Sequence, residues 1–300
     1  MRTLISLIAL LLLQTVAQAQ LRIVTTTTDF ADLARRIGGD RVSVHSVMRG
    51  PENVHNVMAK PTEMVHLNKA DLFVHGGLDA EPWRDSLLKG ARNPRVMPGK
   101  PGNVDMSAGV ELLEVPQGKV DRSGGDIHAY GNPHYQLSPA NAQRMAATLA
   151  KALMAADAPN ADFYRENAKT FVNEMADLHR ELKEKVAAAG EVKIVTYHKG
   201  WEYFGDAFGI RIVGVIEPKV GITPSPADLR RTVELMKREG VKVVVCETYN
   251  SFKQAQAVAA AAGARAIVLP DHVNGVAGVD SYQKLLRYGV EQIVEAANAR

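Results

Sequence analysis

The sequence has almost no cysteine, and its other scarcities are equally informative. Cys246 alone cannot form an intramolecular disulfide, and its apolar surroundings, VKVVVCETY, predict a buried strand thiol. The chain contains neither a CxxC nor an HExxH motif, so it has no compact zinc-finger or zincin signature. Basic and acidic residues nearly cancel (36 Lys and Arg against 33 Asp and Glu), which argues against a nucleic-acid or membrane-surface binder.

Only the amino terminus carries a long apolar run, and that run is too short to cross a bilayer. Residues 4–13 are apolar except for Ser6, whereas a spanning helix needs about 20 such residues. Arg2 precedes the run, and Ala17-Gln18-Ala19 follows it with the small-x-small pattern of a cleavage site. Residues 1–19 are therefore predicted to be a cleaved signal peptide. No cysteine stands at the cleavage site, so we expect an exported, soluble, periplasmic protein without a lipid anchor.

The remaining chain contains two stretches of similar pattern. RIVTTTTDFADLARRIGGDRVSVHSVM begins at Arg22, and KIVTYHKGWEYFGDAFGIRIVGVIEP begins at Lys193. Each predicts a strand, a polar loop, a short helix and a second strand, and each is followed by a proline-started helix and a further strand. Strands that alternate with helices are typical of mostly parallel sheets. The sequence therefore predicts an α/β protein with two similar lobes, each a mostly parallel sheet flanked by helices.

A helical pattern separates the two stretches. From about Ala161 to Ala189, apolar residues recur at steps of three and four, as on one face of a helix. At 1.5 Å per residue this helix would be roughly 40 Å long, and no Gly/Ser-rich linker interrupts it. We therefore expect one long, rigid connection. The predicted organisation is a signal peptide (1–19), an N-terminal α/β lobe (20–158), the connecting helix (159–190) and a C-terminal α/β lobe (191–300).

Four metal-competent side chains fall in loops near predicted strand ends, where ligands of α/β sheets bind. His55 lies in GPENVHNVMAKP, His134 in GNPHYQLSP, His198 directly after KIVTY, and Asp271 directly after AIVLP. Each also has a plain structural interpretation, because a loop histidine is often a surface residue and an aspartate after proline is often a turn residue.

Other histidines leave further alternatives open. His272 competes with Asp271 as a ligand and ranks second, and His128, in SGGDIHAYG, is either a transient metal contact or a solvated loop residue. The remaining candidates are interpreted as surface positions of strands or helices: His45, His66, His75 and His179.

Five blocks, taken in order, resemble the substrate-binding proteins of zinc and manganese ABC importers, the cluster A-I or TroA-like family. The resemblance covers the chain after the predicted signal peptide. It implies metal ligands His55, His134, His198 and Asp271, with the ion in the cleft between the lobes. Asn132 and Asn53-Val54 depart from the family pattern, and the segment before His134 is short. The blocks are ENVHNVMAKPTEMVHLNKADLFVHGG, GGLDAEPWRDSLL, NPHYQLSP, HKGWEYFGDAFGI and LPDHVNGVAGVDSYQKLLRYGVEQI.

Three imidazoles and one carboxylate suit Zn²⁺, and manganese-binding members of the family usually place Glu where this chain has His198. The resemblance thus implies a zinc receptor that delivers the ion to an inner-membrane ABC permease. A periplasmic metallochaperone is a further possible partner, a monomer is expected, and no enzyme activity is expected. Glu217 and Glu247 are candidates to orient the ligands, or else surface and helix-cap residues. The alternatives are a receptor for Mn²⁺ or another divalent metal, a secreted zinc hydrolase and a metal-dependent adhesion protein.

Overall fold

The computed structural model describes residues 20–117, 128–219 and 221–299, so the predicted signal peptide lies outside the described residues. The first sheet contains β1 (Leu21–Thr25), β2 (Val42–Ser46), β3 (Leu72–His75) and β4 (Asn103–Asp105). Its order is β2-β1-β3-β4, and each neighbouring pair is parallel. The crossovers carry α1 (Thr28–Gly38), α2 (Pro61–Asn68) and α3 (Arg84–Ala91). This sheet and its helices are called the N-terminal lobe below.

Two helices occupy the middle of the chain. Helix α4 spans Pro139–Ala156 and begins at the cap Ser138, whose hydroxyl accepts a hydrogen bond from the Asn141 N–H. Helix α5 spans Ala161–Ala188, 28 residues, and ends one residue before the predicted end. Its apolar face is buried as the spacing predicts, with Phe171, Met175 and Leu182 at zero exposure.

The second sheet repeats the first. It contains β5 (Lys193–Thr196), β6 (Arg211–Val215), β7 (Val243–Glu247) and β8 (Arg265–Leu269) in the order β6-β5-β7-β8, again with parallel neighbours. Its helices are α6 (Glu202–Phe208), α7 (Pro226–Glu239), α8 (Phe252–Ala262) and α9 (Tyr282–Asn298). If the four strands of each sheet are counted along the chain, both sheets therefore have the spatial order second, first, third, fourth. The second unit is called the C-terminal lobe.

The long helix joins the cores of the two lobes. Helix α5 packs against α1 and α4, which precede it in the chain, and against α6 and α9 of the second unit. One continuous cluster of buried apolar side chains includes Ile23 of β1, Leu182 of α5 and Ile194 of β5. Because both lobes bury apolar surface against this one stiff helix, they are fixed to a common support. The predicted fold class, two parallel α/β lobes joined by a long helix, is confirmed.

Cys246 and His75 test the predictions of burial and exposure made from the sequence. Cys246 is fully buried in β7, as its apolar context predicted. His75 is also buried, because it ends the inner strand β3 and its Nε2 lies 2.9 Å from the Asn103 Oδ1 of β4. The prediction of a surface position was therefore wrong for His75. Within the described ranges, no helix is both long enough and apolar enough to cross a membrane.

Candidate metal-binding site

Three histidines from distant parts of the chain converge between the lobes. His55, His134 and His198 each offer a ring nitrogen, and these nitrogens all lie within 4.8 Å of one another. The Nε2 atom of His134 is 3.4 Å from the Nε2 of His55 and 3.4 Å from the Nε2 of His198. Two ligands of a tetrahedral ion with Zn–N bonds of 2.0–2.1 Å lie about 3.3 Å apart. The spacing of the imidazoles therefore suits a shared metal ion.

His55 is positioned by a single turn of 3-10 helix, Val54–Asn56. The Asn53 side chain accepts a hydrogen bond from the His55 N–H at 2.9 Å, and the Trp83 Nε1–H donates to the Val54 carbonyl at 2.7 Å. The His55 Nδ1 lies 2.9 Å from the Ala80 carbonyl, so this nitrogen carries the proton and donates. The lone pair of the neutral ring is then on Nε2, which faces the other imidazoles.

His134 is positioned by Asn132, the residue that departs from the family pattern. The Asn132 Oδ1 accepts from the His134 N–H at 3.0 Å, and its Nδ2 donates to Glu202 at 3.0 Å. The amide therefore retains the acceptor that an aspartate would supply. Gly200 allows the close packing of the ring, because a Cβ there would lie 3.1 Å from it.

His198 follows β5 and is held by a carboxylate. Its Nδ1 lies 2.9 Å from the Glu217 Oε2, and the Glu217 Oε1 accepts from the Gly221 N–H at 2.7 Å. The side chains of His198 and Glu217 are 5% and 10% exposed, so little water screens this pair. Glu217 thus orients the ring and leaves Nε2 for the site, which is one of the roles that the sequence suggested for it.

The three imidazoles differ in their affinity for protons. Burial, together with the neighbouring His128 and His198, lowers the pKa of His55 to about 3. Burial, together with the neighbouring His55 and His198, holds the pKa of His134 well below its ordinary value. Burial alone would also lower the pKa of His198, but the Glu217 hydrogen bond and nearby carboxylates raise it above the ordinary value. The first two rings are therefore neutral, and His198 is the one that competes for protons.

Asp271 is buried beside this group but is not a member of it. Its Oδ2 accepts from the Tyr249 hydroxyl at 2.8 Å, while its Oδ1 is buried and has no hydrogen-bond partner among the described residues. Among the residues that the structure describes, only the three histidines have ligand atoms that all lie within 4.8 Å of one another. The structure thus brings three of the four predicted ligands together, and Asp271 as the fourth ligand stays a prediction. Its unpartnered oxygen is available to a cation.

His272 is a poorer ligand candidate than Asp271. Burial would lower its pKa, but the carboxylates of Asp29 and Asp271 raise it to about 9. A protonated imidazole offers no lone pair to a metal ion. Its Nδ1 donates to Asp29 instead.

His128 lies close to the three-histidine group. Its ring centre is 5.0 Å from that of His55 and 6.5 Å from that of His134, and the residue is half-buried. The neighbouring residues 118–127 of this segment lie outside the described part of the chain. The alternative of a metal contact therefore stays open for His128.

A cavity of about 430 Å³ reaches the site from one side. Its walls include His55 and His198, together with Glu217, Tyr249 and Asn53. It therefore borders two of the three imidazoles.

Sequence reasoning missed the residues that hold Asp271 and its neighbours. Tyr249 donates to Asp271 across 22 positions of the chain, and Asp29 contacts His272 across 243 positions. No local spacing connects residues so far apart. Glu247, a candidate orienting residue, instead accepts from the Trp201 Nε1–H at 2.6 Å.

Comparison with known protein families matches residues 23–296 to zinc-uptake complex component A, periplasmic, the ZnuA family. The chain belongs to this family. It is the periplasmic substrate-binding component of a metal ABC importer.

Individual relatives differ in the metal they are named for. The manganese ABC transporter substrate-binding lipoprotein PsaA of Streptococcus pneumoniae is 25% identical over 289 residues, which are 93% of this chain and 89% of PsaA. The iron-binding protein YfeA of Yersinia pestis is also 25% identical, over 91% of this chain and 85% of YfeA. A crystal structure of ZnuA has a TM-score of 0.79 at 26% identity and covers 93% of this chain and 100% of that one.

Proposed function

We propose that this protein is a zinc receptor that binds Zn²⁺ through His55, His134, His198 and Asp271 and presents it to an inner-membrane ABC permease. The observation that carries the proposal is the convergence of three imidazole Nε2 atoms at 3.4 Å contacts. Imidazole nitrogens suit zinc, whereas manganese sites favour oxygen ligands. Four protein ligands complete a tetrahedral shell and leave no position for a metal-bound water, so the proposal contains no catalytic step.

The proposal also covers the export of the protein, the removal of its signal peptide and its organisation in the periplasm. Residues 1–19 direct export and are removed, no lipid anchor is attached, and lobes 20–158 and 191–300 flank the helix 159–190. The mature protein is a monomer, and a metallochaperone is a possible further partner. Mass spectrometry of the periplasmic fraction should then show a chain that begins at Gln20. A retained amino terminus or an attached lipid would contradict this part of the proposal.

Metal content and affinity test the ligand set. Protein purified without chelators should contain about one zinc per chain by elemental analysis, and chelator competition should show tighter binding of Zn²⁺ than of Mn²⁺. His198→Ala should lower the zinc affinity by more than about 100-fold, because it removes one of four ligands. His179→Ala is the matched control. His179 lies on α5, its Nε2 is 2.8 Å from the Ala207 carbonyl of α6, and it is outside the three-histidine group.

Two results would contradict the proposal in different ways. Equal zinc affinities for His198→Ala and His179→Ala would remove the ligand assignment. Native manganese or iron in the purified protein, with weak zinc binding, would leave the receptor role and change the metal.

A further inference from the structure

The segment that carries Asp271 is held by the opposite lobe. Asp29, the second residue of α1 in the N-terminal lobe, accepts from the Val273 N–H at 2.8 Å and from the His272 Nδ1–H. The side chains of Asp29 and His272 are 0% and 2% exposed. Both residues that follow Asp271 in the chain are therefore bonded to one fully buried carboxylate across the boundary between the lobes.

The backbone of the same segment also presses against the N-terminal lobe. A Cβ at Gly50 would lie 2.2 Å from the carbonyl carbon of Asn274 and 2.4 Å from the Val273 oxygen. Only a residue without a side chain allows this approach. The contact with Gly50 and the bonds to Asp29 fix residues 272–274 on two sides.

A buried ion pair is weak evidence for stability, because desolvation offsets its attraction, but it can define a unique arrangement. Asp29 also lies in the first turn of α1, where the helix dipole favours a negative charge. One carboxylate oxygen of Asp29 accepts from the Val273 N–H, and the other accepts from the His272 Nδ1–H. A shift of this segment would break both bonds and leave a charge unpaired in the interior.

We propose that Asp29 is a positioning residue for Asp271: through His272 and Val273 it sets where the Asp271 carboxylate faces the three imidazoles. The inference rests on the proposed function, since Asp271 is a ligand only there. Asp29 does not touch the ion. It ties the geometry of a C-terminal-lobe ligand to the N-terminal lobe, so the placement of Asp271 depends on how the two lobes meet.

Asp32 supplies a matched control on the same helix. It accepts from the Tyr282 N–H at 2.9 Å and so also joins the lobes, but within the described part of the chain it has no hydrogen bond to residues 271–273. Asp29→Ala should lower zinc affinity by about 10- to 100-fold, the range for groups that orient metal ligands. Asp29→Asn, which keeps an acceptor for the Val273 N–H and is the variant that better preserves the fold, should lose less. Asp32→Ala should stay within about threefold of wild type.

The Co²⁺-substituted proteins separate positioning from general destabilisation. The visible d–d bands report the geometry of the ligands, so they should change in Asp29→Ala, return towards wild type in Asp29→Asn, and stay unchanged in Asp32→Ala. Wild-type affinity and an unchanged cobalt spectrum in Asp29→Ala would overturn this inference alone. Equal losses in Asp29→Ala and Asp32→Ala with unchanged spectra would also overturn it. A wild-type protein that binds neither ion would instead refute the proposed function, and this inference with it.

Discussion

Replacement of Glu217 by glutamine tests how His198, a proposed ligand, is held. The carboxylate accepts two hydrogen bonds, from the His198 Nδ1–H at 2.9 Å and from the Gly221 N–H at 2.7 Å. An amide has one acceptor oxygen, so either the ring or the loop must lose its partner. Removal of such an orienting group costs about 10- to 100-fold in metal affinity. That range equals about 1.4 to 2.8 kcal/mol.

The pH dependence of the same variant has a defined sign. Glu217 helps to raise the pKa of His198, so in the wild-type protein protons compete with the metal for this ring from a higher pH. Glu217→Gln lowers that pKa and weakens the competition. The affinity deficit of the variant should therefore be largest near pH 8 and should narrow as the pH falls towards 5.5.

Competition with a chromophoric zinc chelator at several pH values measures both effects. Glu291→Gln is the control, because Glu291 pairs with Lys185 at 2.9 Å on the exposed face of α9. If Glu217→Gln binds zinc as tightly as the control near pH 8, Glu217 does not orient His198 for the metal. A deficit of Glu217→Gln that widens as the pH falls would show that Glu217 does not raise the pKa of His198.

Three further outcomes are expected. Burial raises the pKa of Glu247 to about 7, so metal-free protein should lose on the order of 3 kcal/mol of stability as the pH rises from about 4.5 to 7, and Glu247→Gln should flatten this slope in urea unfolding. His128→Ala should change zinc affinity by less than about threefold, since the four proposed ligands would fill a tetrahedral shell without it; a loss as large as that of His198→Ala would make His128 a ligand. Zinc binding near pH 7 should release at most about one proton, from His198, measured by calorimetry in buffers of different ionisation enthalpy; a value near three would contradict the neutral state of His55 and His134.

Local patterns were sufficient to predict the fold. The spacing of apolar residues predicted α5 to within one residue of its end, because a helix that is buried along one face must repeat that face every 3.6 residues. The proline-started helix predicted after the second stretch is α7, which begins at Pro226 and carries a capping box formed by Ser225 and Asp228. The repeated strand-loop-helix order predicted two sheets of the same strand order. These features depend on neighbours within a few residues.

The site required contacts that no local pattern contains. The loop positions of His55, His134 and His198 gave three candidates, but only folding shows that their Nε2 atoms meet. The burial of His75 was missed because both faces of an inner parallel strand are covered, so hydrophobic alternation does not mark it. Asp29 was missed for a related reason: its partners are more than 240 residues away.

The two lobes hold the proposed ligands His55 and His198 by different means, and this difference has a chemical consequence. In the N-terminal lobe, the Nδ1–H of His55 donates to a neutral backbone carbonyl at 2.9 Å. In the C-terminal lobe, the corresponding atom of His198 faces a carboxylate at the same distance. A carboxylate stabilises the imidazolium form and makes the neutral ring a better electron donor, whereas a carbonyl mainly fixes the tautomer. Proton competition is therefore concentrated on the C-terminal-lobe ligand, and acidification should weaken the hold of that lobe on the metal before it affects His55.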